Sequence, residues 1–220
     1  MGVCVGERRI LMVGDVMGES GLLSLERHLP GLRKEQALDF IVVNGENAAA
    51  GFGLSEETLD RILAAGADIV SSGNHVWEKR DFWPRMESDE RVLRPANYPS
   101  GAVGRGVAQL ERDGVHYCVI NLQGREFMEA IDSPFAAIDT LLEELGAAGK
   151  DRIVLIDFHA ESSQEKEALA LYVDGRVSAL VGTHTHVATS DGRILKGGTG
   201  YQTDIGMTGV QEAVIGMETA

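Results

Sequence analysis

The alternation of short apolar runs with helix-period segments is the feature that most constrains the fold of this chain. Apolar runs rich in strand-forming residues occur at 9–13 (RILMV), 40–43 (FIVV) and 67–70 (ADIV). Between them, segments 22–29 and 56–65 carry apolar residues at helical spacing. This order predicts a βαβαβ unit, and strands joined by crossover helices are parallel.

The rest of the chain continues this pattern after one change. Residues 107–110 and 115–122 are apolar runs on either side of Asp113 and Gly114, a pair typical of hairpin turns. Later segments predict a helix over 133–145, a strand over 153–156, a helix over 164–172, a strand over 179–181 and short strands over 193–202. We therefore expect an α/β fold, a layered α/β sandwich in a single domain (1–220), with its site at the carboxyl ends of the strands.

The charge of the chain argues against one class of partner. The 220 residues carry 34 acidic and 20 basic side chains, a formal net charge of -14 and a pI of about 4.8. A protein that binds long nucleic acid needs clustered Lys and Arg to neutralise phosphates, so we expect no such partner. A small phosphate ester is compatible with the composition if a metal or a few arginines meet its charge locally.

Cysteine content and hydropathy bear on the compartment. Cys4 and Cys118 are the two cysteines, and they form no CxxC pair, which favours a reducing compartment. No apolar stretch has the length of a signal peptide at the N-terminus or of a membrane span elsewhere. We therefore expect a cytoplasmic protein with no membrane partner.

Polar residues follow five of the predicted strands. They are Asp15 in VGDV, Glu46 and Asn47 in NGENA, Asn74 and His75 in SGNHVW, His159 in DFHAE, and His184 and His186 in GTHTH. Apart from His75 they comprise three histidines, two acids and two asparagines, a set suited to Fe, Mn or Zn. Seven groups are too many for one four-coordinate ion and about right for two.

Each segment alone has an ordinary structural explanation. A single Asp such as Asp15 more often caps a turn or a helix, NGEN can be a turn with a solvated Glu, and HxH pairs arise by chance. GTHTH is the strongest local signal, because alternate residues of an extended segment face the same way. The shared position of all five segments after strands favours one common site, whereas His28 and His116 are interpreted as ordinary helix and hairpin residues.

The order GD, GEN, GNH, a late His and GTHTH resembles the calcineurin-like metallophosphoesterase superfamily. Longer motifs resemble the YmdB-like family within it, over about residues 10–216; they are GDVMG, VNGENAAAGFGL, SGNHVWEKR, LRPANYP, INLQGR, DFHAE, VGTHTHVAT and TDIGMTG. The wider superfamily has Asp-x-His and Gly-Asp in its first two motifs. Here Met17 and Glu46 stand at the His and Asp positions, which is itself the YmdB-like pattern.

The resemblance implies a phosphodiesterase with a dinuclear metal centre. Glu46 would bridge the ions, with Asp15, Asn47 and His186 completing one site and Asn74, His159 and His184 the other. The cofactors would be two divalent or mixed-valence ions, iron first and manganese as the alternative. Implied substrates are small phosphodiesters, including 2′,3′-cyclic nucleotides. We expect a metal-bridging hydroxide to attack phosphorus and His75 to protonate the leaving oxygen.

Five further residues are weaker candidates. Asn121, Gln123 and Arg125 in INLQGR follow a strand and could face the phosphate, with a solvated hairpin exit as the alternative. Glu161 and Asp204 are candidates for partners that orient the ligand histidines.

Other functions stay open at this stage. One is a regulatory or nucleotide-binding protein that uses the same metal cleft with little turnover, and others are a phosphomonoesterase and a nuclease. The resemblance also implies several more strands beyond IGMETA, so we expect this chain to lack the family's C-terminal tail. The oligomeric state, including a homo-oligomer, is likewise open.

Overall fold

Eleven strands and five α-helices make up the described part of the chain, residues 7–145 and 152–216 of a computed structural model. The strands are β1 (Ile10–Val13), β2 (Asp15–Val16), β3 (Phe40–Asn44), β4 (Ile69–Ser71), β5 (Val107–Arg112), β6 (Val115–Gln123), β7 (Arg152–His159), β8 (Ala179–Thr183), β9 (Arg193–Ile194), β10 (Gly200–Gln202) and β11 (Met207–Thr208). The α-helices are α1 (Gly18–Glu35), α2 (Glu56–Ala65), α3 (Trp83–Ser88), α4 (Pro134–Leu145) and α5 (Ser163–Tyr172). A short 3-10 helix, Arg80–Phe82, precedes α3. Cys4 lies outside the described residues.

The strands form two large sheets and one small one. The first sheet is parallel, in the order β1-β3-β4. The second has the order β5-β6-β7-β8-β10-β9, parallel from β6 to β10 and antiparallel at its two edges. In the small sheet β2 pairs with β11. The predicted βαβαβ beginning and the predicted hairpin of β5 and β6 are both confirmed. That residues 1–220 form one domain stays a prediction.

The two large sheets pack face to face between two layers of helices. Phe40 and Val42 of β3 lie in one cluster with residues of β5, β6 and β7, and the Phe40 and Tyr117 rings stack at 4.2 Å. Ile41 and Val43 point the other way, into a cluster with α1 and α2, while α4 and α5 cover the second sheet. A strand covered on both faces needs an unbroken apolar run, which explains FIVV.

Capping determines where α2 begins and ends. Ser55 accepts a hydrogen bond from the backbone of Thr58, and Thr58 accepts one in return from the backbone of Ser55. Gly66 ends the helix at φ 117°, a conformation that costs glycine little. By contrast α1 is longer than predicted, because it continues through Pro30 to Glu35. Its buried leucines pack on the sheet, and that tertiary packing outweighs the proline.

Three strands extend further than their apolar runs. Gln123, His159 and Thr183 are the last residues of β6, β7 and β8, and they stand side by side in register. The predicted strands end earlier because the local sequence becomes polar. In the structure, hydrogen bonds to the neighbouring strands keep the backbone extended beyond the apolar run. His159 therefore ends a strand instead of following one. Among residues 7–145 and 152–216, no helix combines the length and the apolar character needed to cross a membrane.

Candidate metal centre

Three buried residues, here called the floor of the site, converge from three different sheets. Asp15 lies in β2, Glu46 in the turn after β3, and His159 at the end of β7. Each is at most 1% exposed, and one ligand atom of each lies within 4.8 Å of the others. The carboxyl ends of parallel strands thus meet where the sequence predicts.

Two carboxylate oxygens of the floor are buried without a hydrogen-bond donor. Glu46 Oε1 accepts from the backbone N–H of His75 at 2.7 Å, and Asp15 Oδ2 accepts from the backbone N–H of His184 at 3.1 Å. The second oxygen of each carboxylate, Glu46 Oε2 and Asp15 Oδ1, has no hydrogen-bond partner among residues 7–145 and 152–216. A buried anionic oxygen is costly unless a donor or a cation meets it, so these two atoms fit a metal.

The two asparagines present amide oxygens to the same place. Asn47 Nδ2 donates to the carbonyl of Gly51 at 2.9 Å, and Asn47 Oδ1 is buried without a hydrogen-bond partner in the described part of the chain. Asn74 Oδ1 lies 3.2 Å from His159 Nε2. Amide oxygens are ligands that hard cations accept.

Two histidine rings turn one nitrogen toward the site and the other toward a partner. His159 Nδ1 lies 3.0 Å from Thr183 Oγ1, and His159 Nε2 approaches Glu46 Oε2 to 2.5 Å without hydrogen-bond geometry. His184 Nδ1 lies 3.0 Å from His159 Nε2, and His184 Nε2 lies 3.2 Å from Glu161 Oε2. Partnering of the outward nitrogen is usual for metal-binding histidines.

The third histidine follows the same rule. His186 Nδ1 lies 3.0 Å from the carbonyl oxygen of Ile215, which can only accept, so that nitrogen carries the proton and Nε2 is left as a ligand atom. His186 lines a cavity of about 350 Å³ together with Glu46 and Asn47. All seven predicted ligands are therefore brought to one region, and their chemistry fits a metal centre.

Burial changes the protonation of these groups in the metal-free protein. Burial raises the pKa of Asp15 to about 7 and the pKa of Glu46 to about 6. It lowers the pKa of His159, and it lowers the pKa of His184 to about 4 with a further contribution from the neighbouring His159. Neutral imidazoles are the form that binds metals.

Close approach of the backbone leaves no room for a side chain at Gly73. A Cβ atom there would lie 2.3 Å from both Glu46 Oε2 and His159 Nε2. The glycine of SGNH therefore lets the chain pass directly over the floor, and Asn74 and His75 enter the site from the following turn.

GTHTH is not an extended segment, which corrects the prediction. Strand β8 ends at Thr183, and His184 and His186 have φ angles of 97° and 64°. These left-handed conformations are uncommon for residues other than glycine and cluster at functional sites. The two rings therefore reach the site through a twisted loop and not through strand alternation.

The loop of the two histidines is anchored by a buried ion pair. Asp204 Oδ2 accepts from Thr185 Oγ1 at 2.8 Å and from Lys166 Nζ at 2.6 Å, and both charged side chains are at most 2% exposed. Asp204 was expected to orient a ligand histidine directly. In the described structure it holds the residue between the two histidines instead, whereas Glu161 contacts His184 as expected.

His75 lies at the mouth of the same cavity. Its ring packs edge-on against Phe52 at 5.0 Å between centroids, and its Nδ1 is 3.4 Å from Glu78 Oε1. The His75 side chain is 30% exposed, so it can reach a bound ligand. His75, His184 and His186 are here called the rim of the site.

The INLQGR residues do not line this cavity. Asn121 is buried, accepts from the backbone N–H of Ser72 and donates to the carbonyl of Asp157. Gln123 is buried within β6 and hydrogen-bonds to Tyr98. Arg125 is exposed and lines a separate cavity of about 580 Å³. Asn121 and Gln123 thus belong to β6 and bond to other protein groups, whereas a contact of Arg125 with phosphate stays a prediction.

Two histidines lie outside the site, as expected. His28 is exposed on α1 and His116 is exposed in β6, and neither lines the cavity.

One residue near the site was missed by the sequence analysis. Asp157 was not predicted, although it hydrogen-bonds to Thr183 beneath His159. An ionisable residue inside the apolar run IVLIDF was the available signal.

Comparison with known proteins identifies the family of this chain. A family model described as YmdB-like protein matches residues 11–220. The 2′,3′-cyclic-nucleotide 2′-phosphodiesterase of Bacillus subtilis (strain 168) is 44% identical over 210 residues, which cover 96% of this chain and 79% of that relative.

Two solved structures share the fold. A hypothetical protein from Thermus thermophilus superposes with a TM-score of 0.89 at 47% identity, covering 94% of this chain and 80% of that one. A novel phosphatase from Mycoplasma pneumoniae superposes with a TM-score of 0.85 at 30% identity, covering 92% and 73%. The predicted layered α/β fold is confirmed, and this chain belongs to the YmdB-like family.

Proposed function

We propose that this chain is a dinuclear metal-dependent phosphodiesterase that hydrolyses small phosphodiesters such as 2′,3′-cyclic nucleotides. The observation that carries the proposal is the convergence of buried acceptors with no donor between them, at Glu46 Oε2, Asp15 Oδ1 and Asn47 Oδ1. The B. subtilis relative named for this activity supports the choice of substrate.

The proposed ligands are Asp15, Glu46, Asn47, Asn74, His159, His184 and His186. Glu46 is the proposed bridging ligand, because its Oε2 faces His159 while it lines the cavity beside His186. Iron is the metal that we propose first, with manganese as the alternative, since mixed oxygen and imidazole ligands suit both.

Bound at this site, the ions would supply positive charge for the phosphoryl oxygens and an activated water for attack on phosphorus. The carboxylates of Asp15 and Glu46 alone would repel an anionic diester, so the site needs cations before it can bind substrate. His75 lines the cavity and is partly exposed, which suits a proton donor to the leaving oxygen. A cavity of about 350 Å³ suits a ligand of nucleotide size and not a long polymer.

A phosphomonoesterase is the second candidate, because the M. pneumoniae relative is named a phosphatase. A cytoplasmic location is also proposed, and the buried free thiol of Cys118 supports a reducing compartment.

The test combines metal content with turnover. Protein purified without added metal is analysed for elements, and hydrolysis of bis-p-nitrophenyl phosphate, 2′,3′-cyclic AMP and p-nitrophenyl phosphate is measured for wild type and Glu46→Ala. Glu111→Ala, at an exposed position of β5, is the matched control. We expect about two metal ions per chain and turnover of both diesters, each lost in Glu46→Ala and kept in Glu111→Ala.

Fewer than one ion per chain, with no turnover after reconstitution with iron or manganese, would contradict the proposal. Turnover of the monoester alone would favour the phosphomonoesterase.

A further inference from the structure

A single buried carboxylate lies beneath the floor of the site. Asp157 is 2% exposed and lies in β7, two residues before His159. Its Oδ2 accepts from Ser71 Oγ at 2.5 Å and from Asn44 Nδ2 at 2.9 Å, and its Oδ1 accepts from Thr183 Oγ1 at 2.7 Å. Asn44 and Ser71 belong to the first sheet and Thr183 to the second, so Asp157 joins the two sheets.

The hydrogen bonds below His159 determine its tautomer. The Thr183 hydroxyl donates to Asp157 Oδ1. The lone pairs of that hydroxyl therefore face His159 Nδ1, 3.0 Å away, and Nδ1 must carry the ring proton. His159 Nε2 is then a bare acceptor pointing at Glu46 Oε2 and Asn74 Oδ1.

The same carboxylate also reaches the other segments that carry ligands. Asn44, which donates to Asp157, accepts from the backbone N–H of Glu46 at 3.0 Å. Ser71 is the last residue of β4, three positions before Asn74. Three strand ends that supply His159, Glu46 and Asn74 are thus tied to Asp157.

We propose that Asp157 is a positioning residue for the metal centre, acting through Thr183 on His159, through Asn44 on Glu46 and through Ser71 on Asn74. It does not touch substrate or metal. Its effect is to hold His159 in the Nδ1–H tautomer and to keep the acceptor atoms facing one another, which a metal site requires.

Thr183→Val gives the direct test, because it removes the hydroxyl that joins His159 to Asp157 and keeps the shape of the side chain. We expect the Mn²⁺ dissociation constant, measured by competition with a fluorescent chelator, to rise about ten- to hundredfold. Thr183→Ser, which restores a hydroxyl, should recover most of the affinity.

Thr199→Val is the matched control. Thr199 is fully buried, and its hydroxyl hydrogen-bonds to the backbone of Val177 and Gly175, away from the cavity. Thr199→Val should lower the thermal midpoint of the metal-free protein about as much as Thr183→Val does, but it should leave the Mn²⁺ affinity unchanged.

Unchanged Mn²⁺ affinity in Thr183→Val would overturn the proposal. If that variant does not fold, Ser71→Ala replaces it, with an expected loss of several-fold, and unchanged affinity there overturns the proposal equally. None of these measurements needs a substrate, so they stand apart from the proposed catalytic activity.

A second, independent observation concerns an exposed aromatic ring. Phe127 is 83% exposed at φ 64°. Its loop is nevertheless held in place, because the Glu165 carboxylate accepts from the backbone N–H groups of Arg125 and Glu126. Such an aromatic buries little surface, so packing within the chain does not explain its placement.

Phe127 lines a cavity of about 350 Å³ whose other walls include Asn74 and His184. We infer that Phe127 is a stacking platform for the nucleobase of the substrate; this inference rests on the proposed function. A phosphodiester held at Asn74 and His184 would place the rest of a nucleotide within reach of this cavity, and the base is its flat apolar part.

Phe127→Ala should raise KM for 2′,3′-cyclic AMP about tenfold, while hydrolysis of the base-free 1-O-methylribose 2′,3′-cyclic phosphate stays unchanged. Phe127→Trp should keep the wild-type KM. Ile194→Ala, at a position of β9 that is 78% exposed, is the control for loss of an exposed apolar side chain and should change neither substrate.

Equal effects of Phe127→Ala on both substrates, or no effect on either, would overturn the stacking platform. If the wild-type protein hydrolyses neither substrate, that result would instead contradict the proposed function.

Discussion

The floor and the rim of the site are built in different ways. Asp15, Glu46 and His159 are at most 1% exposed, and two of them are fixed at or just after the ends of large-sheet strands. The side chains of His75 and His184 on the rim are 30% and 24% exposed and come from loops.

The floor and the rim therefore suit different tasks, which are holding ligand atoms in place and controlling approach to the site. Sheet register and buried hydrogen bonds hold the floor rigidly, which suits atoms that must face one another around cations. The rim depends on left-handed backbone and on a few anchors, of which the Lys166–Asp204 pair is the most buried. We therefore expect the floor to fix the position of a bound metal ion and the rim to complete its ligands and to control what can approach it.

The largest effect is expected from loss of His75, the proposed proton donor. His75→Ala should lower kcat for 2′,3′-cyclic AMP about 10²–10⁴-fold, because acid catalysis of the leaving group is lost. Metal content should stay at the wild-type level, since His75 is not a proposed ligand. Steady-state kinetics with elemental analysis checks this, and His116→Ala, at an exposed histidine of β6 that does not line the cavity, is the control. Near-full activity in His75→Ala would remove His75 from the mechanism.

Loss of the Lys166–Asp204 ion pair, which anchors the loop of the rim, should lower the stability of the protein. Lys166→Met leaves the Asp204 carboxylate buried without its cation, and we expect the free energy of unfolding in urea to fall by about 3–5 kcal/mol. The control is Arg176→Met, which breaks a half-exposed pair with Asp139 and should cost about 0–1 kcal/mol. Equal losses in both variants would show that burial of the anchor is unimportant.

The buried carboxyl groups of the floor should make the stability of the metal-free protein depend on pH. Burial raises the pKa of Asp15 from 3.8 to about 7 and the pKa of Glu46 from 4.5 to about 6. The folded chain then binds protons more tightly than the unfolded chain, so this stability is complete below about pH 4 and is lost as pH rises to about 7.

The lowered pKa values of His159 and His184 act in the opposite direction, so the contribution of Asp15 is measured as the difference between wild type and Asp15→Asn. Between about pH 4.5 and about pH 7.5, thermal unfolding of the metal-free proteins should show a loss of stability larger in wild type than in Asp15→Asn, by an amount on the order of a few kcal/mol. Saturating Mn²⁺ should restore the stability of wild type chiefly at the higher pH. An equal change in stability in both proteins would contradict the prediction.

The smallest effect is expected at Glu161, which contacts His184 from outside the site. Glu161→Gln weakens the contact with His184 Nε2, which lies 3.2 Å from the carboxylate. We expect Mn²⁺ affinity to fall about tenfold, the lower end for such partners. Chelator competition measures it, with Glu111→Gln as the surface control. An unchanged affinity would show that Glu161 does not orient the ring.

Sequence reasoning succeeded where a local pattern reports a local property. The apolar run FIVV indicated a strand, and the polar residues near the strand ends indicated one shared edge. It failed for GTHTH, because the φ angles of His184 and His186 depend on the anchoring of the loop. It failed for Asn121 because the side-chain partners of this residue, the backbone of Ser72 and of Asp157, lie far away along the chain.

The sequence by itself determined the chemistry of the site: two carboxylates, two amides and three imidazoles near strand ends of an α/β chain, with His75 beside them. Only the tertiary structure decided which oxygens lack a donor, which nitrogen of each ring faces inward, and that Asp157 lies beneath them. The physical reason is distance along the chain. Asn44 and Ser71 reach Asp157 across 113 and 86 residues, and the geometry of such contacts depends on the packing of two sheets.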